Sequence, residues 1–199
     1  NLARWPSHGH ASPVADPAQR RATYEDLLAV DPKLVAEILH GVLHTNPRPA
    51  PRHAAAASVL GEELGPPFRR GRGGPGGWII IDEPELHLGP DVVVPDLAGW
   101  RRSTMAELPD TAYFAVRPDW ACEVLSASTE AVDRAEKVPI FAREGVAHVW
   151  LVDPIQRTLE VLRLDGESYR VLGTWRDAAR PRAEPFDAIE LELGLLWQG

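Results

Sequence analysis

The chain has 199 residues, 44% hydrophobic and 25% charged, which is the size of one domain and the composition of a folded one, so disorder is excluded. No apolar run nears the ~18 to 20 residues that span a bilayer, and a single cysteine, Cys122, rules out an intrachain disulfide and a zinc site built on cysteines. With 29 acidic against 21 basic side chains, net −8, general affinity for nucleic acid should be weak unless positive charge is local.

Two local groups exist, Arg69, Arg70 and Arg72 beside the glycine-rich stretch 71–77, and Arg176, Arg180 and Arg182. Both read as solvated loops. The start of the chain has no apolar core like a signal peptide's. The expectation is a soluble, cytoplasmic protein with a loosely ordered arm over residues 1–22 and one domain over 23–199.

Tyr24 to Leu28 reads as a short helix, with Thr23 as N-cap and Asp26 three residues on. Val35 to Leu39 and Val42 to His44 flank His40-Gly41, a hairpin signal. Arg52 to Leu64 reads as a helix, ended by Gly65-Pro66-Pro67. Short strands follow at Trp78 to Ile81, Glu85 to Leu88 and Val92 to Val94, and Ala121 to Leu125 is another. A cap-rich turn, Ser126 to Thr129, opens a helix over Ala131 to Glu144. Val149 to Val152 reads as a buried strand, and Leu159 to Leu164 and Tyr169 to Leu172 flank a hairpin turn at Asp165-Gly166. Strands on both sides of helices predict an α/β (α+β) fold, a mixed sheet with helices packed on it.

Three acids lie in apolar strand contexts: Glu37, Asp96 and Glu123. A buried charge without a partner costs several kcal/mol, so acids there need a metal, a cation or a proton. On one strand, Val92, Val94 and Asp96 would share a face, as would Ala121, Glu123 and Leu125. If the two strands are neighbours, the acids meet, and two carboxylates with a backbone carbonyl make a magnesium or manganese site. Like-charge repulsion should then raise at least one pKa. The plain alternative is three acids solvated at strand ends. Lys137 has Asp133 one turn before it and Phe141 one turn after. It is either an exposed i, i+4 partner of Asp133 or a cation aimed at a phosphate. His40 and His44 could stack as metal ligands, but the seven histidines include no second pair at zinc-like spacing, and Cys122 reads as core.

One ordered set of motifs is specific: Val94-Pro95-Asp96, Glu123-Val124-Leu125-Ser126-Ala127-Ser128-Thr129, Asp133 with Lys137, Gly145-Val146, and Trp150-Leu151-Val152-Asp153-Pro154. Over residues 23–197 it resembles the Uma-two family of restriction-endonuclease-like proteins, within the PD-(D/E)xK phosphodiesterases. The resemblance implies a central mixed sheet flanked by helices, N-terminal and C-terminal β-hairpins, and a metal-dependent nuclease site. Asp96, Glu123 and the Val124 carbonyl would hold Mg²⁺ or Mn²⁺, and Glu37 would bind a water on the metal or a second ion. The superfamily's lysine position is Leu125 here, and Lys137 on the following helix takes its part. His53 matches a family histidine without an assigned role. Phe141 and His148 replace the tyrosine and glutamate that the family often has.

The implied partners are nucleic acid, DNA above all, and a second copy in a homodimer. The rival is a nuclease-like scaffold that binds without catalysis, or an oligomeric structural module. The apolar run Ile189, Leu191, Leu193, Leu195, Leu196 and Trp197 would cover either the sheet or a second subunit.

Overall fold

A computed structural model describes residues 20–198. The arm expected over residues 1–22 lies almost wholly outside the described residues. At its end the Ala22 amide donates to the Gly41 carbonyl at 2.8 Å.

Helix α1 (Tyr24–Leu28) starts on the predicted cap, with Thr23 and Asp26 exchanging side-chain and backbone hydrogen bonds as a capping box. Strands β1 (Leu34–Leu39) and β2 (Val42–Pro47) pair antiparallel. His40 and Gly41 both have positive φ, 52° and 83°, the backbone of a two-residue type I′ turn. Helix α2 (Pro51–Leu64) has Pro at its start, where a missing N–H costs nothing. It runs on into a π-helical turn, Gly65–Arg69, that contains Pro66 and Pro67.

The remaining strands are β3 (Trp78–Asp82), β4 (Leu86–Leu88), β5 (Asp91–Val93), β6 (Leu97–Arg101), β7 (Trp120–Val124), β8 (His148–Asp153), β9 (Thr158–Asp165) and β10 (Ser168–Arg176). They form two sheets. The larger has the order β10-β9-β8-β7-β6-β3 and is mixed, because β7 and β8 run parallel. The smaller, β2-β1-β5-β4, is antiparallel. The N-terminal hairpin thus joins β5 in a sheet of its own, while the C-terminal hairpin extends the mixed sheet.

Three local expectations shift. Val92, Val94 and Asp96 do not share one strand: β5 ends at Val93 and Asp96 stands just before β6. Pro95 explains the break, since it has no N–H for a ladder. The second hairpin turns at Gly166-Glu167 rather than Asp165-Gly166, because Asp165 pairs with Ser168. Gly166 has φ 64°, which suits the first position of a type II′ turn. The helix expected over Ala131 to Glu144 is α3 (Glu130–Val132), a π-helical turn (Asp133–Lys137) and α4 (Val138–Arg143). Pro139 cannot donate to the carbonyl four residues back, and the chain widens by one residue in the turn before it.

Side-chain alternation along β7 sorts the core. Trp120, Cys122 and Val124 face α2, with Ala56, Leu60 and Leu64. Ala121 and Leu125 face the other side, with Ile140 and Phe141 of α4, and Glu123 shares that side by alternation. Leu191, Leu193 and Leu196 belong to the first of these cores, with Ile189 and Trp197 packed against it. The C-terminal apolar run therefore covers the chain's own sheet.

Candidate active site

Strands β6 and β7 pair antiparallel with Leu97 opposite Cys122 and Ala98 opposite Ala121. One step further in that register sets Asp96 opposite Glu123. The Asp96 carboxylate bridges the gap: its Oδ2 accepts the Val124 amide at 2.6 Å. His53, in the first turn of α2, brings Nε2 to 3.3 Å from the same oxygen.

Glu37 enters from β1, 3% exposed. Its Oε1 accepts the Val94 amide at 2.8 Å, which ties the small sheet to the segment that carries Asp96. Lys137 enters from the helix on the far face and is 4% exposed. Its ammonium lies 2.8 Å from Glu123 Oε2, 3.1 Å from Glu37 Oε1 and 3.7 Å from Asp133 Oδ1, and donates to the Val94 carbonyl at 3.1 Å. The face shared by Asp133, Lys137 and Phe141 points inward, as the spacing predicts, and Lys137 is not an exposed surface partner of Asp133. Leu125, at the superfamily's lysine position, is buried in the core.

Glu37, Asp96, Glu123, Val124, Asp133 and Lys137 all line one cavity of about 230 Å³, with His53, Arg48, Ser126, Ser128 and Thr129 also on its wall. Five carboxylates, Glu83 being the fifth, share it with the Lys137 ammonium and the Arg48 guanidinium. Burial pushes the Glu123 carboxyl well above the ordinary carboxylate range, and Asp133, Asp96 and Glu37 push the same way against the pull of Lys137. Like-charge repulsion, the cause expected from the sequence, is present but not dominant. Burial is the larger one, because β7 is central and covered on both faces. Burial also raises Asp133, against Lys137 and a hydrogen bond from Thr129. Lys137 is raised above its ordinary value: burial opposes the charge, but Glu123, Glu37 and Asp133 outweigh it. For His53 burial pulls down, and the neighbouring Asp96, with Asp133 behind it, raises the imidazole above its usual value.

Asp133 and His53 are the side chains that residue patterns undervalue. Asp133 reads on a helix as a surface i, i+4 partner, and only the inward apolar Phe141 on its face gives it away. His53 is a lone histidine whose partner lies 43 positions on, so no spacing rule reaches it. The two arginine groups stand exposed, away from this cavity's wall.

A hard divalent cation fits the donor set on one observation. Glu123 Oε1 is buried with no hydrogen-bond partner among the described residues, and every carboxylate around it is a hard oxygen donor. Among the described residues no three His, Cys, Asp or Glu side chains already converge as a metal cage. Two carboxylates and a backbone carbonyl are enough for Mg²⁺, which keeps several waters.

A central mixed sheet with helices on both faces, and acids gathered at the paired ends of two of its strands, has counterparts among known proteins. The Uma2 family model, described as "putative restriction endonuclease", matches residues 21–195. The chain belongs to the Uma2 family. A search of curated proteins finds no match. Among solved structures, the chain is similar to that of a "putative nuclease belonging to DUF820" from Anabaena variabilis, with TM-score 0.72 and 20% identity over 88% of this chain and 97% of that one. That likeness shows the fold, a restriction-endonuclease-like core of the class expected from the sequence. Among the described residues no helix is long and apolar enough to cross a membrane.

Proposed function

We propose that the chain is a metal-dependent nuclease that hydrolyses phosphodiester bonds of DNA, with Asp96, Glu123, Glu37 and Lys137 as its working side chains. The observation that carries this reading is the gathering of Glu37, Glu123 and Lys137 with Asp96 in one cavity, with one Glu123 oxygen left without a partner. Asp96, Glu123 and the Val124 carbonyl would hold Mg²⁺ or Mn²⁺, which supplies polarisation of a phosphate oxygen and a more acidic bound water. Lys137 keeps its charge and offers it to the phosphate as negative charge grows there. Glu37, held by the Val94 amide, orients a water beside that centre. Ser126, Ser128 and Arg48 line the cavity and can meet the backbone of the nucleic acid. A cytoplasmic setting accords with the single free, buried thiol of Cys122.

A homodimer is the assembly expected of a duplex-cutting enzyme, since two-fold symmetry presents one site to each strand. The C-terminal apolar run offers it no face, because that run is used inside the chain. Light scattering at tens of micromolar decides between dimer and monomer.

The central test is thermal melting with and without millimolar Mn²⁺, beside cleavage of plasmid DNA. Metal that binds only the folded state should raise the midpoint, and Asp96→Asn should abolish both that rise and cleavage. An unchanged parent midpoint would remove the metal site. Metal binding without cleavage of DNA or RNA would leave a scaffold that binds and does not cut.

A further inference from the structure

We infer that His53 is a positioning residue for Asp96, holding one carboxylate oxygen from the α2 face of the sheet so that the other faces the cavity. His53, Ala56, Leu60 and Leu64 recur at helical spacing and form the stripe of α2 turned to the sheet. The first position of that stripe falls at the ends of β6 and β7. An apolar side chain would fill it, yet an imidazole stands there at the start of a helix, where the macrodipole disfavours positive charge. Its Nδ1 is buried without a hydrogen-bond partner among the described residues, a cost that a space-filling side chain avoids.

What offsets this is Asp96. Nε2 lies 3.3 Å from Oδ2, and both side chains are mostly buried. The same Oδ2 accepts the Val124 amide. Oδ2 thus has the Val124 amide as its hydrogen-bond donor and the His53 ring as an ion-pair neighbour, while no hydrogen bond reaches Oδ1 among the described residues and Asp96 lines the cavity together with Glu123. Since Oδ2 is an acceptor, Nε2 carries the ring proton. Asp96 is thus braced from the α2 face while Glu123 is braced by Lys137 from the α4 face. Partners of this outer kind set the aim of a ligand, and their loss typically lowers cation affinity ~10- to 100-fold.

For its consequence on cation binding the inference rests on the proposed metal site, but the brace itself does not. The experiment therefore has two readouts on folded parent, His53→Ala and His53→Gln proteins, with folding checked by circular dichroism. Hydrogen exchange of the Val124 amide reports the brace without any metal. His53→Ala should speed that exchange, while exchange of the Ala98 amide in the β6–β7 ladder stays as in the parent. His53→Gln, whose side-chain amide can still donate to Oδ2, should restore most of the protection. Titration with Mn²⁺ reports the consequence, and the dissociation constant should rise at least ~10-fold in His53→Ala and recover in His53→Gln. Unchanged Val124 exchange in His53→Ala overturns the brace. Faster exchange with unchanged Mn²⁺ affinity overturns its role toward the cation. A parent that binds no Mn²⁺ defeats the metal reading instead, and the Val124 readout still decides the brace.

Discussion

Asp91 and Glu123 are both buried carboxylates on strands, 1% and 2% exposed, and each faces one cation, from α4 and from the π-helical turn before it. Asp91 is complete. Its Oδ1 accepts the His40 amide at 2.6 Å and its Oδ2 takes Arg143 at 2.6 Å, so the acid ties the β1–β2 turn to α4. Arg143 stays about two-fifths exposed and keeps much of its hydration. Glu123 is incomplete. One oxygen meets Lys137, the other has no hydrogen-bond partner among the described residues, and two further acids, Glu37 and Asp133, crowd the same ammonium. The first arrangement is what stability alone selects. The second carries a cost to the fold, which the proposed function explains as affinity reserved for a cation.

The comparison predicts different responses to losing the cation or the acid. The largest effect belongs to Lys137→Ala, which leaves buried Glu37, Glu123 and Asp133 without their shared counter-charge. Removing one partner of a buried pair costs about 3 to 5 kcal/mol, read by urea unfolding at neutral pH without metal. The deficit should shrink toward pH 4 as Glu123 and Asp133, both raised by burial, take up protons, and Mn²⁺ should recover part of it. A loss under about 0.5 kcal/mol would mean that the ammonium sits in water.

Asp91→Asn should cost less, about 1 to 3 kcal/mol, because a charge-assisted hydrogen bond is lost while Arg143 turns to solvent. Mn²⁺ affinity should stay at the parent value. A changed Mn²⁺ response would join the two regions into one site and end the contrast between them.

Much of this arrangement is legible from residues alone, and the limits have physical causes. The strand carrying Glu123, the hairpin carrying Glu37 and the inward face carrying Lys137 follow from periodicity, because each lies on an element whose apolar pattern fixes its direction. Asp96 is marked by its Pro-Asp pair, but alternation from Val92 and Val94 misplaces it, since the same proline that marks it also ends the strand before it. Strand β6 reads poorly because Leu97-Ala98-Gly99-Trp100 has no alternation, being buried on both faces. Asp91 and Arg143 look like ordinary surface charges in sequence, and only the pairing of β1 with β5 brings the His40 amide and the acid together.

The smallest expected change in stability is the most telling, because its sign is opposite. Glu123→Gln keeps the shape of the side chain and an oxygen that can accept from Lys137, and removes its negative charge from the cavity. The Glu123 carboxyl is raised well above its ordinary value, so the folded chain binds its proton more tightly than the unfolded chain does. Its contribution to stability is therefore whole below the unfolded value near 4.5, and is lost as pH rises from there through the folded value. Parent and variant should be equally stable at about pH 4. By pH 8 the variant should be as stable as the parent or more stable by about 1 kcal/mol, since burial and the neighbouring acids penalise the charged form more than Lys137 rewards it. The same variant should lose the Mn²⁺-dependent rise in melting midpoint. If instead Glu123→Gln destabilises the metal-free protein at pH 8 by as much as Asp91→Asn does, then Glu123 is a structural acid like Asp91, and its unpartnered oxygen carries no affinity for a cation.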